Sequence, residues 1–420
     1  SAIGAARTLN AWRPAGRSGR VANIAFRNGL TVSELPMHSL AWQALATGGF
    51  VASGAHRTRA GRAGLALTAV SFCGLAGLSR AAGQAAEALE QALVEGLGAD
   101  YRAEMDRAFA PREEAAIMRR QVVNPLPPLR RRYVQTRDVA YGEFGVRNHL
   151  DIWRRDDLPD DARAPVIIQV HGGAWMSGSK EQQAVPLMGH FAERGWVSVA
   201  VNYRLAPTDP WPAQIVDVKR AIAWVKEHVA EHGGDPEFVV ITGGSAGGHL
   251  ATLAALTPGV SDFQPGFEDA DTRVQAVVPM YGVYDLTNRD NTGRSDMEDL
   301  LSRNLFEAPL DEAREVWDRA SPMSWVAPDA PPFFIAHGAN DTLVPVAHAQ
   351  SFARLLAEVS EQPVVYAELP CAQHGFDLFS SVRSLHTVRA VDRFLAVVRT
   401  RAAQRASQRR AERGPSPSVS

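Results

Sequence analysis

Short apolar segments that alternate with helical segments between residues 130 and 398 place the strongest constraint on how this chain folds. Apolar residues recur at helical spacing in two of the intervening segments, Pro212–His232 and Ala246–Leu256. Continuous apolar strands separated by helices are typical of a mostly parallel sheet with helices on both faces. Two extended segments, Arg130–Val139 and Val146–Arg154, precede this pattern. We therefore predict an α/β fold, with buried strands at Val166–Val170, Val197–Val201, Phe238–Ile241, Val274–Met280, Pro332–Ala336 and Val364–Leu369.

The chain is long enough to carry more than this one domain. It has 420 residues, of which 45% are hydrophobic, and this leaves room for an α/β domain with an appendage. The proline-rich run at 124–129 marks a boundary, because proline cannot continue a helix. We predict a helical extension over 1–125 and the α/β domain over 126–398. A basic disordered tail is predicted over 399–420, in which a charged helix end fades into a Ser/Pro stub. Within the domain, the long acidic segment 283–330 is predicted to be a cap insertion.

Two uncharged runs distinguish the N-terminal extension. They cover residues 35–56 and 63–79, and a basic segment separates them. A membrane-spanning helix needs about 20 strongly apolar residues, whereas the second run is shorter and glycine and polar residues dilute the first. We predict a helical hairpin that dips into a membrane face or packs on the body; two buried cap helices are the alternative. A separate amphipathic helix is predicted over 81–110.

Charge is unevenly distributed along the chain. The formal net charge of −2 argues against a nucleic-acid binder. Residues 1–125 carry a net +5, residues 399–420 another +5, and the middle carries −12. Basic ends are typical of contact with an anionic lipid surface, but the near-absence of lysine slightly favours solvated arginine-rich ends instead. We expect peripheral membrane contact through residues 35–79 and a location at the membrane or cell envelope of a bacterium; a cytoplasmic location is the alternative.

Neither a metal nor a cofactor is predicted. The chain has two cysteines, which is too few for a disulfide framework or a multi-cysteine zinc site. Acidic and histidine residues show no separate cluster with ligand spacing, and there is no glycine-rich nucleotide motif.

A serine stands at a turn between a predicted strand and a predicted helix. The segment GGSAGGHL contains Gly243, Ser245 and Gly247 in the G-x-S-x-G pattern, directly after Phe238–Ile241. In this context the turn exposes the serine hydroxyl beyond the sheet, and the two glycines let strand and helix cross closely. We therefore predict that Ser245 is a nucleophile.

Two further strand ends carry the partners that such a serine needs. A serine hydroxyl requires a base, and the base requires an orienting acid. Asp341 follows the strand Pro332–Ala336, and His374 follows Val364–Leu369. The chain order serine, acid, histidine matches the order expected on a sheet of this kind. We predict a triad of Ser245, Asp341 and His374.

The third strand-end loop is glycine-rich. The segment HGGAW at 171–175 follows the strand Val166–Val170, where backbone N–H groups can stabilise a tetrahedral oxyanion. The expected donors are the N–H groups of Gly172, Gly173, Ala174 and Ala246. His171 is predicted to be structural, bonded within its own loop. The predicted substrate-pocket residues are Trp175, Tyr203 and Tyr281, with ordinary core packing as the alternative for each.

These motifs together resemble the hormone-sensitive-lipase-like carboxylesterases of the α/β-hydrolase superfamily. The resemblance rests on HGGAW (171–175), NYRLAP (202–207), GGSAGGHLA (243–251), HGANDTLVP (337–345) and the His374 loop, and it covers about residues 130–398. The sequence departs from the family at Ala174, where a third glycine is usual, and at Gly244, where an acid is common. The N-terminal extension is similar to the long leader of some actinobacterial lipid esterases.

The resemblance implies a serine esterase or lipase acting on short- to medium-chain carboxylic esters, including lipid esters, under a lid of N-terminal helices and the cap insertion. Because HGGxW also occurs in kynurenine formamidases, an arylformamidase is the alternative enzyme. A catalytically silent α/β-hydrolase-fold receptor is the alternative outside enzymes. Neither the physiological ester nor the oligomeric state follows from these residues.

Overall fold

The computed structural model describes residues 2–110, 123–127 and 129–413, with the backbone alone for residues 409–413. Its centre is an eight-stranded sheet. The strands are β1 (Val134–Ala140), β2 (His149–Trp153), β3 (Ala164–Val170), β4 (Val197–Val201), β5 (Gly234–Gly244), β6 (Ala276–Met280), β7 (Phe333–Gly338) and β8 (Val364–Leu369). Their spatial order is β1-β2-β4-β3-β5-β6-β7-β8. The predicted α/β fold with a mostly parallel sheet is confirmed.

The direction of the strands decides where their loops meet. β2 runs antiparallel to β1 and to β4, whereas β4, β3, β5, β6, β7 and β8 are mutually parallel. The carboxyl ends of parallel strands lie at the same edge of a sheet, and ligands bind beyond that edge. The loops that follow β3, β5, β7 and β8 are therefore neighbours in space.

Burial on both faces explains the continuous apolar strands. Every residue of β3, β4 and β6 is buried. Along β3, Val166 and Ile168 belong to one hydrophobic cluster and Ile167 to another, because successive side chains point to opposite faces. The sheet therefore needs a helical layer on each side.

Helices cover both faces of the sheet. Helices Ala213–His228, Ala246–Leu256 and Val346–Val359 contribute side chains to the cluster on one face. Helix Val185–Glu193 and the C-terminal helix Val382–Arg413 contribute to the cluster on the other. The remaining short helical segments of this region are Leu129–Tyr133, Gly145–Asn148, Val229–His232 and Ser261–Phe263.

The N-terminal extension is helical, as predicted, but one of its helices is longer than expected. Its helices are α1 (Ala2–Trp12), α2 (Gly19–Glu34), α3 (Pro36–Ala52), α4 (Arg59–Leu97) and α5 (Tyr101–Glu104), with a short 3₁₀ turn at Ala55–Arg57. The second uncharged run and the helix predicted over 81–110 are therefore one continuous helix. The segment contains no proline, and α4 ends before Gly98, whose φ of 101° leaves the helical region. The amphipathic packing helix predicted over 81–110 is present as far as Leu97, but its end at residue 110 was wrong and its continuity with the second uncharged run was not predicted.

The second half of α4 is part of the α/β core. Leu89 and Leu93 are fully buried in the cluster that covers one face of the sheet. Gly96 allows a close approach, because a Cβ there would lie 2.5 Å from the carbonyl oxygen of Val364 in β8. The N-terminal extension therefore supplies a packing layer of the domain.

The other uncharged run lies on the surface. Within α3 only Pro36 is buried, and Trp42 and Leu45 are each 73% exposed. α3 and α4 pack together as the predicted hairpin, whereas burial of both helices in a cap is contradicted. Among the described residues, α4 alone is long and apolar enough to cross a membrane, and a third of its apolar window is buried in the protein.

Buried polar contacts attach the first two helices to the body. The carboxylate of Glu34 in α2 accepts a hydrogen bond from the guanidinium of Arg383, and both side chains are fully buried. Asn340 Nδ2 donates to the carbonyl oxygen of Ala11 in α1 at 2.8 Å. Thr342 Oγ1 donates to the carbonyl oxygen of Ala22 in α2 at 3.0 Å. Both donors lie beside Asp341, so α1 and α2 rest on the loop after β7.

The charged helix end predicted after residue 399 is present and extends to Arg413, so that disorder over residues 399–413 is contradicted. The guanidinium of Arg399 lies 4.1 Å from the ring centroid of Phe109, and Arg401 Nη2 donates to Glu104 Oε2 at 2.8 Å. Thr400 Oγ1 accepts a hydrogen bond from the N–H of Asp106 at 3.0 Å. These contacts hold a basic helix that composition alone suggested would be solvated. Residues 414–420 lie outside the described residues.

The insertion 283–330 folds as short helical segments over the carboxyl edge of the sheet. It contains Met297–Asn304, Arg314–Ala320 and a 3₁₀ turn at Pro322–Trp325. Trp317 is fully buried and its ring lies 4.4 Å from that of Phe306.

Candidate active site

Ser245 occupies a strained turn between β5 and the helix Ala246–Leu256. Its φ of 58° and ψ of −122° are unusual for a residue with a side chain. The tight crossing requires the glycine on each side: a Cβ at Gly243 would lie 2.4 Å from the carbonyl oxygen of Gly247, and one at Gly247 would lie 2.1 Å from that of Val170. The turn leaves Ser245 partly exposed at the end of the sheet.

His374 and Asp341 meet from adjacent strand ends. The Nδ1 atom of His374 lies 2.7 Å from Oδ2 of Asp341, which is fully buried in the loop after β7. The other oxygen of Asp341 accepts hydrogen bonds from the N–H groups of Leu343 and Val344, each at 2.8 Å. These bonds hold Asp341 in place, with Oδ2 directed at the imidazole of His374.

A second histidine also contacts this acid. The Nε2 atom of His337 lies 2.9 Å from the carbonyl oxygen of Val344 and 3.3 Å from Oδ2 of Asp341. Burial alone would raise the pKa of Asp341, but the charge of His374 and the hydrogen bonds from His337 and His374 outweigh it. The pKa of this carboxyl lies well below its usual range, so Asp341 is a carboxylate at any ordinary pH.

The glycine-rich loop after β3 adopts a conformation with unpaired backbone donors. Gly173, Ala174 and Trp175 have φ values of 128°, 53° and 62°. Among the described residues no acceptor bonds the N–H of Gly173 or Ala174. The N–H of Gly172, which was predicted as a further oxyanion donor, instead donates to Oε1 of Gln183 at 2.7 Å.

His171 and Tyr203 support this loop from beneath. The rings of His171 and Tyr203 stack with centroids 4.3 Å apart, and the Tyr203 hydroxyl donates to the carbonyl oxygen of His171 at 2.9 Å. His171 Nδ1 lies 2.8 Å from the carbonyl oxygen of Gly172, as the prediction of a structural histidine expects. Burial lowers the pKa of His171 to about 4. Tyr203 is fully buried and does not line the cavity described next, so its assignment to the substrate pocket was wrong.

Ser245, His374 and the glycine-rich loop open onto one cavity of about 390 Å³. Two of the three predicted pocket aromatics, Trp175 and Tyr281, contribute to its wall. The cap insertion supplies Met297 and Leu300. The other apolar side chains around it are Phe26, Met176, Val283, Leu343, Val344 and Leu378.

Some residues of the site carry no signal in the sequence. Asn23 and Phe26 of α2 line the cavity, and the Phe26 ring lies 6.0 Å from that of His374. Oε1 of Gln373 accepts hydrogen bonds from the N–H groups of Thr342 and His374, at 2.8 and 2.9 Å, and so joins the loop after β7 to the loop after β8. No local pattern identifies these residues, because they act across distant parts of the chain.

His249 links three parts of the site. Its Nδ1 accepts a hydrogen bond from the indole of Trp175 at 3.1 Å, and its Nε2 lies 2.8 Å from the carbonyl oxygen of Ala320 in the cap insertion. Burial lowers the pKa of His249 to about 4, so the ring is neutral and can accept at one nitrogen while donating at the other. The helix that follows Ser245, the glycine-rich loop and the cap insertion are therefore connected through one buried side chain.

The residues present show no site for a metal. Within the described parts of the chain, no group of three or more His, Cys, Asp or Glu side chains is placed to hold a metal ion.

Comparisons with known proteins agree with this architecture. A family model described as BD-FAE matches residues 150–356. A protein of Mycobacterium tuberculosis described as "Probable carboxylic ester hydrolase LipM" is 50% identical over 401 residues, which are 95% of this chain and 92% of that protein. "Esterase LipQ" of the same organism is 48% identical over 327 residues, 77% of each chain.

A solved structure shows the same fold. The propionate-bound thermophilic esterase Est2 of Thermogutta terrifontis superposes with a TM-score of 0.53 and 27% identity, covering 64% of this chain and 95% of that one. The alignment with LipM covers 95% of this chain and therefore takes in most of the N-terminal extension, whereas the esterase structure covers 64%. This chain therefore belongs to the hormone-sensitive-lipase-like carboxylic ester hydrolases of the α/β-hydrolase superfamily.

Proposed function

We propose that this enzyme hydrolyses carboxylic esters by a serine mechanism in which Ser245 is the nucleophile, His374 the general base and Asp341 the orienting acid. One observation carries the proposal: His374, bonded to Asp341 at 2.7 Å, lines the same cavity as Ser245 and the glycine-rich loop. Nucleophile, base and backbone donors around a single cavity are the parts that acyl transfer requires.

The mechanism follows from these roles. Nε2 of His374 accepts the proton of Ser245 Oγ as the oxygen attacks the ester carbonyl carbon. Asp341 accepts the hydrogen bond from Nδ1–H and stabilises the imidazolium that forms. His374 then gives its proton to the leaving alcohol, and the acyl group stays on Ser245. A water molecule, activated by His374 in the same way, releases the acid and restores the serine.

The oxyanion of each tetrahedral intermediate needs fixed donors. We assign these to the backbone N–H groups of Gly173, Ala174 and Ala246. Ala246 follows the nucleophile at the first turn of a helix, where N–H groups have no partner within the helix. The N–H of Gly172 has a different role, because its hydrogen bond to Gln183 fixes the start of the glycine-rich loop.

Short- to medium-chain esters are the substrates that fit the cavity best. A volume of about 390 Å³ is at the small end of the usual range for ligand sites. Its wall is mainly apolar, with Phe26, Met297 and Leu300 facing the space beside Ser245. Such a wall favours an acyl chain through burial of its methylene groups, at about 0.8 kcal/mol each.

A panel of p-nitrophenyl esters with acyl chains from two to sixteen carbons tests this substrate class. We expect kcat/KM of the purified full chain to rise with chain length and then to fall once the acyl group exceeds the cavity. N-formylkynurenine is included in the panel as the substrate of the alternative enzyme. Turnover of the formyl amide alone would assign an arylformamidase, and turnover of no substrate would support a silent receptor; either result contradicts the proposal.

We also propose that the N-terminal helices bind an anionic membrane surface in the bacterial cell envelope. Residues 2–86 contain nine arginines and one acidic residue, Glu34, which is buried against Arg383. Exposed apolar side chains lie on α1, α3 and the first half of α4, which contact one another: Ile3, Leu9, Trp42, Leu45 and Val70. Apolar side chains among arginines are typical of a surface that inserts between anionic lipid headgroups.

Sedimentation with lipid vesicles tests the membrane proposal. We expect the full chain to bind vesicles that contain anionic lipid, and the double variant Trp42→Ser, Leu45→Ser to bind at least tenfold more weakly, because each side chain loses about 2 kcal/mol of burial. The matched control is Val146→Ser, which removes an exposed apolar side chain from the α/β domain. Equal binding by the double variant contradicts the proposal. Deletion of residues 1–125 is unsuitable, since it would also remove the buried Leu89 and Leu93 of α4.

A further inference from the structure

We propose that Tyr281 and Asp377 form a positioning pair, which fixes the His374 loop against the nucleophile turn. The inference rests on the proposed roles of Ser245 and His374. Neither residue belongs to a motif, and Tyr281 was expected only as a pocket wall.

Tyr281 connects the nucleophile turn to the neighbouring strand. It follows β6, and its N–H donates to the carbonyl oxygen of Ala336 in β7 at 2.8 Å. The preceding carbonyl, that of Met280, accepts a hydrogen bond from the N–H of Ser245 at 3.0 Å. Tyr281 has a φ of 40°, a conformation that a bulky side chain rarely adopts. Backbone strain of this kind persists where the surrounding structure requires the side chain in one place.

Gly244 makes room for the Tyr281 ring. A Cβ at Gly244 would lie 2.5 Å from the Tyr281 hydroxyl oxygen and 2.8 Å from two of its ring carbons. The aromatic ring therefore packs directly on the backbone of the residue before the nucleophile. This explains why glycine stands at a position where the resemblance leads us to expect an acid.

The same ring reaches the base. The rings of Tyr281 and His374 have centroids 4.6 Å apart with planes at 59°. The Tyr281 hydroxyl donates a hydrogen bond to Oδ1 of Asp377, three residues after His374 in the same loop. Tyr281 also contacts Phe376 edge-on, with centroids 5.4 Å apart. The Tyr281 side chain therefore contacts the His374 loop at three points: the ring of His374, the ring of Phe376 and the carboxyl group of Asp377.

Tyr281 is the hydrogen-bond donor of the pair. Burial and the nearby carboxylates hold the pKa of Tyr281 well above its usual value, so the hydroxyl keeps its proton. Burial raises the pKa of Asp377 above its usual value, although the Tyr281 hydrogen bond and the charge of His374 act in the opposite direction. Oδ1 of Asp377 accepts the bond from Tyr281, and this bond fixes the position of the His374 loop.

Other charged groups around His374 differ in position. Asp341 bonds Nδ1 directly, and His337 lies on the far side of Asp341. Arg294 and Asp296 of the cap insertion line the same cavity but form an ion pair with each other. Phe26, from α2, meets the imidazole with an uncharged ring edge. Asp377 differs from all of these, because it is linked to the imidazole through its loop and through Tyr281.

Two conservative variants of the full chain test the pair, each assayed with the preferred p-nitrophenyl ester. Tyr281→Phe keeps the ring but leaves Asp377 without its donor, and we expect kcat to fall about tenfold while KM changes less than twofold. Asp377→Asn keeps the volume and an acceptor for the Tyr281 hydroxyl. We expect its kcat to stay within threefold of wild type, because the hydrogen bond that positions the loop is retained.

The matched control is Tyr284→Phe, which removes the hydroxyl of a nearby buried tyrosine that stacks on Phe352 rather than on the base. We expect wild-type kinetics from it. If Tyr281→Phe lowers the melting temperature alone, with kcat unchanged, the pair is merely structural and the proposal is wrong. A loss of kcat in Asp377→Asn as large as that in Tyr281→Phe would also contradict it, because the hydrogen bond would then not be what positions the loop. Turnover that survives Ser245→Ala would instead contradict the proposed function, so the two failures are distinguishable.

Discussion

Ser245→Ala is expected to lower kcat for the preferred ester by roughly 10⁴- to 10⁶-fold. The substitution removes the oxygen that forms the acyl-enzyme, while the oxyanion donors and the apolar wall remain and account for the residual rate. KM is expected to stay within a few-fold of the wild-type value, because the hydroxyl contributes little to ground-state binding. Steady-state kinetics with a p-nitrophenyl ester measure both constants.

A second serine beside the cavity provides the control. Ser177 also lines the cavity, but its hydroxyl donates to the carbonyl oxygen of Gly173 and has no histidine partner among the described residues. We expect Ser177→Ala to lose less than tenfold in kcat. Mass spectrometry after treatment with a p-nitrophenyl phosphonate should find one phosphonyl group on Ser245 in wild type and in Ser177→Ala. Labelling of Ser245→Ala at the active-site peptide would contradict the assignment.

Asp341→Asn is expected to lower kcat by about 10⁴-fold with little change in fold. The asparagine keeps the volume and one oxygen for the N–H groups of Leu343 and Val344. Its amide then donates to Nδ1 of His374, which places the imidazole proton on Nε2 and leaves no acceptor for the Ser245 hydroxyl. The loss of kcat is measured by steady-state kinetics above pH 7, where a general base is most effective.

The control for this variant is an acid of the cap insertion that lies away from the base. Asp318→Asn removes an exposed partner of Arg289 and Arg314, whose ion pairs contribute little at the surface. We expect its kcat within twofold of wild type. Thermal unfolding of both variants establishes that they are folded. An Asp341→Asn enzyme with more than a tenth of the wild-type kcat would overturn the role given to Asp341.

Local pattern was sufficient for the sheet and for the residues at its carboxyl edge. The apolar runs from Val166–Val170 to Val364–Leu369 are strands, with end positions that differ by a few residues from those predicted. The Ser245 turn between a strand and a helix could be predicted because the strand, glycine and helix patterns are adjacent in the chain. Asp341 and His374 were found in the same way, since parallel strands bring successive strand-end loops to one edge.

The role of an aromatic residue could not be predicted from its position after a strand. Tyr203 and Tyr281 both follow strands, yet the first lies under His171 and the second lines the cavity. The difference depends on which neighbour fills each space, and for Tyr281 that neighbour is Gly244, 37 positions away in the chain. Such packing between distant residues produces no periodic pattern in the sequence.

The N-terminal extension shows the same limit on a larger scale. Its uncharged runs correctly indicated helices, but not that α4 continues into the core, that α3 stays exposed or that Phe26 of α2 faces His374. Composition also favoured a solvated arginine-rich end of the chain, whereas arginines of this end contact Phe109 and Glu104. Each of these outcomes depends on contacts between segments hundreds of residues apart.

The sequence by itself determined the α/β class, the family and the three strand-end loops, because these depend on local spacing of apolar residues, glycines and a few polar side chains. Only the tertiary structure decided how the site is closed and how its base is held. α2 and the cap insertion enclose the cavity, Gln373 joins the loop after β7 to the loop after β8, and Tyr281 joins Gly244 to Asp377. Such contacts are fixed by the shape left between packed elements, and that shape exists once the whole chain has folded.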